Sequence, residues 1–115
     1  MQYMLLIYSN EGQMQSASKA QGEAIMGAYA AYTQSLQKAG VLIGANRLQR
    51  SGSASTVRVT KDRKEVLDGP YADTKEQLGG YYLIDVPHLD AALSWAARCP
   101  GASYGTVEVR PVWVD

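Results

Sequence analysis

The chain has 115 residues, 46% of them apolar and 19% charged, with 11 basic and 11 acidic side chains. That is enough chain for one hydrophobic core without disulfides or metals, and far from the composition of a disordered segment. Zero formal net charge with scattered charges leaves no basic stripe for nucleic acid and no charged tail.

Met1 to Tyr8 is a nearly continuous apolar run that predicts a first strand, buried on both faces. The run is too short for a membrane helix and lacks the basic leader and cleavage site of a signal peptide. With Cys99 the sole cysteine, no intrachain disulfide forms, and the expected compartment is the cytoplasm. Asn10 to Ser18 is polar and predicts a loop. Ala20 to Ala39 predicts the major helix, with Ile25, Met26, Tyr29, Tyr32, Leu36 and Ala39 on its apolar stripe. Gly40 ends it.

Val41 to Leu48 predicts a second strand, and Ser51-Gly52-Ser53 a turn. Ser55 to Thr60 and Lys64 to Leu67 flank the polar Lys61-Asp62-Arg63 and predict a hairpin. Asp68 to Gly80 predicts a long loop with a helical turn at Thr74 to Leu78. A strand follows at Tyr81 to Val86, a helix at Leu89 to Arg98 ending at Pro100-Gly101, and a last strand at Thr106 to Val112.

The order β-α-β-β-β-β-α-β predicts a single α+β domain over residues 1–115. It is a ferredoxin-like split βαβ with an added hairpin, its mainly antiparallel sheet carrying two helices on one face. The helix-free face is then mixed. Arg58, Glu108 and Arg110 are expected there among apolar and aromatic residues, which fits a homodimer packed sheet to sheet around a polar pocket.

Asp68-Gly69-Pro70-Tyr71 is the most organised local feature: glycine supplies unusual backbone angles and proline sets the next turn. It reads either as a turn opened by a backbone-bonding Asp or as the address of an acid. The longer run from Val66 through Tyr82, continuing as Ala72-Asp73-Thr74-Lys75-Glu76-Gln77-Leu78-Gly79-Gly80, resembles the signature of the DGPF branch of the YciI-like family. Tyr71 stands where the branch has Phe. Tyr3 to Tyr8, Ala39-Gly40-Val41-Leu42, Thr56 to Val59, Asp90 to Pro100 and Gly105 to Pro111 match it too, so the resemblance covers nearly the whole chain.

The resemblance implies a fold of the dimeric α+β barrel type, with muconolactone isomerase-type relatives. It also implies enzymatic activity from a His/Asp pair in a cleft; one branch dehalogenates chlorinated muconolactones. Asp68 matches the family's acidic residue, but Ala20 to Ala39 contains no histidine. His88, the one histidine, precedes the second helix, where it reads as a surface residue. One His and one Cys leave no zinc-type metal set, and neither a phosphate loop nor a nucleophile elbow is present.

The candidate site is therefore Asp68 as a general base, with Arg58, Tyr71, Lys75, Tyr82, Glu108 and Arg110 around a small polar or carboxylate ligand. Tyr29, Tyr32 and Tyr82 are proton-donor candidates, although Tyr29 and Tyr32 read first as core from their place on the apolar stripe. Arg58, Glu108 and Arg110 read equally as an ion-pair network at the dimer interface. Lys75 and Glu76 read equally as loop solvation. Cys99 reads as buried and inert. Three functions follow: a cofactor-free acid–base enzyme of lyase, isomerase or dehalogenating type, a non-catalytic ligand-binding or regulatory module with the same pocket, or an interaction protein that works through its dimer surface.

Overall fold

The computed structural model describes residues 1–114. The elements run β1 (Gln2–Ser9), α1 (Glu11–Gln15), α2 (Lys19–Lys38), β2 (Leu42–Arg47), β3 (Ser55–Thr60), β4 (Arg63–Asp68), β5 (Gln77–Asp85), α3 (Leu89–Arg98) and β6 (Thr106–Pro111). Four strands form an antiparallel sheet in the order β2-β5-β1-β6. Strands β3 and β4 form a separate two-stranded sheet. The main sheet has the interleaved order of a split βαβ, so the predicted α+β ferredoxin-like fold with an added hairpin is the fold of the chain.

The core forms where the apolar stripes of α2 and α3 meet one face of that sheet. Tyr3, Leu5 and Ile7 of β1 and Tyr82 and Ile84 of β5 point to this face. Tyr32 and Leu36 of α2, Ala92 and Ala96 of α3, and Cys99 cover them. Tyr32 seats its ring edge-on against Tyr82 at 5.2 Å and donates its hydroxyl to the Trp95 carbonyl at 2.7 Å. A buried phenol thus packs its ring and satisfies its polar tip at once.

Three sequence expectations need correction. Residues 10–18 are not all loop: α1 forms there because Asn10 Oδ1 caps the Gln13 N–H at 3.0 Å and Gln77 Oε1 accepts the Glu11 N–H at 3.0 Å. That second bond comes from far along the chain, so local pattern does not show it. The two expected helices therefore become three α-helices among the described residues. No helical turn forms at Thr74 to Leu78; β5 starts at Gln77, because Gly80 pairs with both Ile7 and Arg47 as a strand residue.

Arg58 is the third correction. The β3–β4 hairpin does not join the main sheet, so Arg58 is not on the helix-free face with Glu108 and Arg110. The hairpin is an arm. Its tight turn has Lys61 and Asp62 at φ 50° and 65°, as a two-residue hairpin turn requires. Its base is held by Gly69 N–H to the Ala54 carbonyl at 2.6 Å and by Thr56 Oγ1 to the Gly69 carbonyl at 2.9 Å. Beyond the base nearly every residue is exposed. The Cα radius of gyration is 16.1 Å, against about 13 Å for a compact chain near this length.

His88 takes a definite role. It is the N-cap of α3, its Nδ1 accepting the Ala91 N–H at 3.2 Å. Among the described residues no helix is long and apolar enough to cross a membrane.

Candidate functional site

Helix α2 touches the core only along its C-terminal half: Tyr32 and Leu36 are its buried residues. Under the N-terminal half the sheet offers little to pack against, because β5 carries Gly79-Gly80 there. Gly80 cannot be larger. A Cβ at that position would lie 2.8 Å from the Asn46 carbonyl oxygen of β2. The missing side chains leave a cleft of about 600 Å³ between α2 and the sheet.

Ile7, Gly80 and Tyr82 form its floor, and Ile25, Met26 and Tyr29 of α2 its wall. Helix α1 closes one end with Glu11 and Met14, while Arg47 and Arg50 stand on the rim. The apolar stripe on α2 is therefore split in function. Its C-terminal members fill the core, while Met26 stays 51% exposed over the cleft.

Hydroxyls gather at the inner end. Thr33 Oγ1 donates to the Tyr29 carbonyl at 2.9 Å and lies 2.8 Å from the Tyr82 hydroxyl. A threonine has one proton, so Tyr82 is the donor in that contact. Tyr104 donates to the Tyr29 oxygen at 3.4 Å. The Tyr29 hydroxyl rests over Gly101, whose Cβ would come within 2.6 Å of it.

Burial pushes the Tyr29 phenol well above its ordinary pKa, with the Tyr104 contact adding to it. Burial likewise raises Tyr32 and Tyr82. These phenols keep their protons at neutral pH and serve as donors, not bases. Burial also raises the Cys99 thiol, which hydrogen bonds from Gly101, Tyr29 and Ala102 partly oppose. A protonated, buried thiol is a poor nucleophile.

The raised phenols set an alkaline limit on stability. Above about pH 10 the unfolded chain ionises these tyrosines while the folded chain does not, so folding loses free energy as pH rises. Tyr32 and Tyr82, 5% and 6% exposed, each add to that loss. Denaturant midpoints measured from pH 8 to 11.5 are expected to stay flat to about pH 10 and then fall. In Tyr82→Phe the fall is expected to be shallower.

Glu11 is the acidic side chain of the cleft, and its carboxylate is occupied. Oε1 accepts the Ser51 N–H and Oε2 the Ser51 hydroxyl, both at 2.7 Å. Gln77 ties the same corner to the loop before β5, donating to the Thr74 carbonyl at 2.5 Å. Glu76 accepts from Thr106 Oγ1 at 2.7 Å. The segment Thr74 to Gln77 thus fastens α1 and β6 to the start of β5.

Of Asp68 and the six residues expected around it, Tyr82 alone lines the cleft, together with Tyr29, the other proton-donor candidate there. Asp68 sits at the base of the arm, exposed, across from Ser55. Arg58 and Tyr71 meet on the arm, the guanidinium 5.5 Å from the ring centre. Lys75 is exposed in the loop that follows. Glu108 and Arg110 form an ion pair on the helix-free face of β6, opposite Leu6 and Met4. Within one chain these groups do not converge. Among the described residues no three His, Cys, Asp or Glu side chains gather as a metal site requires.

The family model of the YCII-related domain matches residues 1–114. The chain belongs to the YCII-related family. It is also similar to an uncharacterised protein of Rhizobium meliloti (strain 1021), 40% identical over 114 residues that cover 97% of this chain and 92% of that one. Membership agrees with the interleaved sheet described above. In this chain the cleft has apolar and tyrosine walls with arginines at its rim, and the missing side chains of Gly79-Gly80 open it. Sequence periodicity marks Ile25, Met26 and Tyr29 as apolar. The signal that could have placed a cleft was the glycine pair, which falls opposite a helix half rich in Gly and Ala.

Proposed function

We propose that this member of the family is a small-molecule-binding protein whose site is the cleft between α1, α2 and the sheet, and that it works as a homodimer. The observation that carries the first part is the cleft itself: about 600 Å³ of mostly apolar space with hydroxyl donors inside and guanidinium groups at the mouth. Ligand sites have this build, with apolar walls and a few placed polar groups. Binding is favoured over catalysis because the cleft holds proton donors but no free base, Glu11 being engaged by Ser51. An acid–base reaction using Asp68 would require the arm of a second copy to bring that carboxylate to the ligand. The DGPF assignment rests on residues 68–71 and their neighbours.

The dimer reading rests on two uncovered surfaces. Met4, Leu6, Tyr81 and Leu83 share the helix-free face of the sheet. Val57, Val59 and Val66 share one face of the arm, 57%, 66% and 55% exposed. An isolated two-stranded hairpin is marginal in water, so an arm of this length calls for a partner surface. The net charge of zero sets up no long-range repulsion between copies.

Ala30→Trp places an indole in the cleft from an exposed helix position. In a thermal-shift screen of small amphipathic compounds, a ligand at about a hundred times its dissociation constant adds about 2.7 kcal/mol to the wild-type protein. The same compound is expected to leave Ala30→Trp unshifted. Shifts of equal size in both proteins, or none in either, would rule the cleft out.

A further inference from the structure

The cleft mouth carries a charge pattern that specifies its occupant more closely. Three ionised side chains line it: Arg47, Arg50 and Glu11. Glu11 spends both oxygens on Ser51, so neither arginine is neutralised by it directly. Among the described residues the ion pairs are Met1 with Asp85 and Arg110 with Glu108, and neither involves the cleft. Arg47 reaches across the mouth from β2 to α2, where Nη1 meets the Met26 sulfur at 3.6 Å. A thioether is a weak acceptor, so a strong donor is left with a weak partner. Below the guanidinium groups the walls are apolar, from Ile7, Ile25 and Met14.

Resting on the cleft reading above, we infer that the ligand is a small apolar monocarboxylate, its acid held at the mouth by Arg47 and Arg50 and its body laid over Gly80 against α2. Guanidinium groups bind planar carboxylates through paired N–H donors, and such charge-assisted bonds are the stronger kind. The charge count selects the number of negative charges. Two arginines against one glutamate leave a single positive charge, which a monoanion cancels. A phosphate dianion would leave the mouth net negative, next to a Glu11 carboxylate that cannot move away from Ser51. The body follows from the floor: Gly79-Gly80 gives a flat backbone surface, suited to a ring or a short chain.

The test uses the full-length protein and three probes sharing one body: 3-phenylpropionate, 3-phenylpropanol and 2-phenylethyl phosphate. Affinities are measured by calorimetry at low and at moderate salt. The acid is expected to bind about ten-fold more tightly than the alcohol, an advantage that shrinks with salt. Arg47→Gln and Arg50→Gln, both at exposed positions, are each expected to remove most of that advantage and leave the alcohol within about two-fold. Equal affinity for acid and alcohol would overturn the inference while leaving the cleft as a binding site. Tighter binding of the phosphate than of the acid would overturn the single-charge requirement. Failure of all three probes to bind would overturn the inference, and the screen against Ala30→Trp then decides the cleft separately.

Discussion

Gly105→Ala is expected to destabilise the protein by about 3 kcal/mol, a cost typical of forcing atoms into a packed backbone. Gly105 enters β6 where the chain passes under the end of β1. A Cβ there would collide with the Tyr8 carbonyl oxygen and sit 3.2 Å from the Gly101 oxygen and 3.3 Å from Ser9 Cα. All three are backbone atoms, so no side chain can rotate aside. The Gly105 N–H also closes the preceding turn on the Gly101 carbonyl at 2.8 Å. Relief requires moving β6 from β1, at the Tyr8–Thr106 pairing. For a chain of this size the melting temperature should drop by roughly 10 °C or more. The same exchange at Gly27 is the internal control. That glycine lies in α2 with nothing within 4 Å of an added Cβ, so Gly27→Ala should raise stability by up to about 1 kcal/mol through helix propensity. Thermal melts of both variants check the pair of opposite signs; a neutral Gly105→Ala would show that β6 can shift freely.

The fold was legible because the main elements carry their lengths and boundaries in their own residues. The apolar run Tyr3 to Tyr8 marks β1 but shows no period. It predicts burial on both faces, whereas the core takes Tyr3, Leu5 and Ile7 and leaves Met4, Leu6 and Tyr8 half-buried. Helix α2 is announced by its apolar stripe and by Gly40, which at φ 72° lies just past its end. Ser18, which forms with Gln21 the reciprocal cap that starts it, falls in the segment whose polarity predicts a loop. Arg58 shows where pattern reading stops. Alternation in Thr56-Val57-Arg58-Val59 reports two faces, but not what lies behind either. The same alternation suits a strand of the main sheet and an arm held only at its base. The cleft was hidden for a related reason. Tyr29 and Met26 repeat at helical spacing with Tyr32 and Leu36, yet depth of burial depends on the opposing strand. There Gly79 and Gly80 supply nothing to pack. Helix α1 has a local cap in Asn10, but its second support comes from Gln77, 66 positions from Glu11, which no local window contains.

Leu6→Glu should convert the proposed dimer to a monomer without unfolding the chain. Leu6 lies on the helix-free face, paired across the sheet with Tyr81 and Glu108, and is only half-buried in one chain. In a lone protomer a carboxylate there stays wet and costs little. In a sheet-to-sheet dimer it enters an apolar layer beside Glu108, where desolvation and like charge both oppose it. A two-fold interface presents the substitution twice. At about 2 kcal/mol each, the loss is about 4 kcal/mol, roughly a thousand-fold in the dissociation constant. Sedimentation equilibrium at micromolar concentration should give twice the 12.5 kDa chain mass for wild type and the single mass for Leu6→Glu, with circular dichroism unchanged. Leu5→Glu is the necessary contrast. One position earlier in the strand, Leu5 is 0% exposed under α2, and its replacement should unfold the protein instead. A single-chain mass for the wild-type protein would refute the dimer. A dimer that survives Leu6→Glu would move the interface off the sheet. The arm, with Val57, Val59 and Val66 uncovered, would then be the surface that joins the copies.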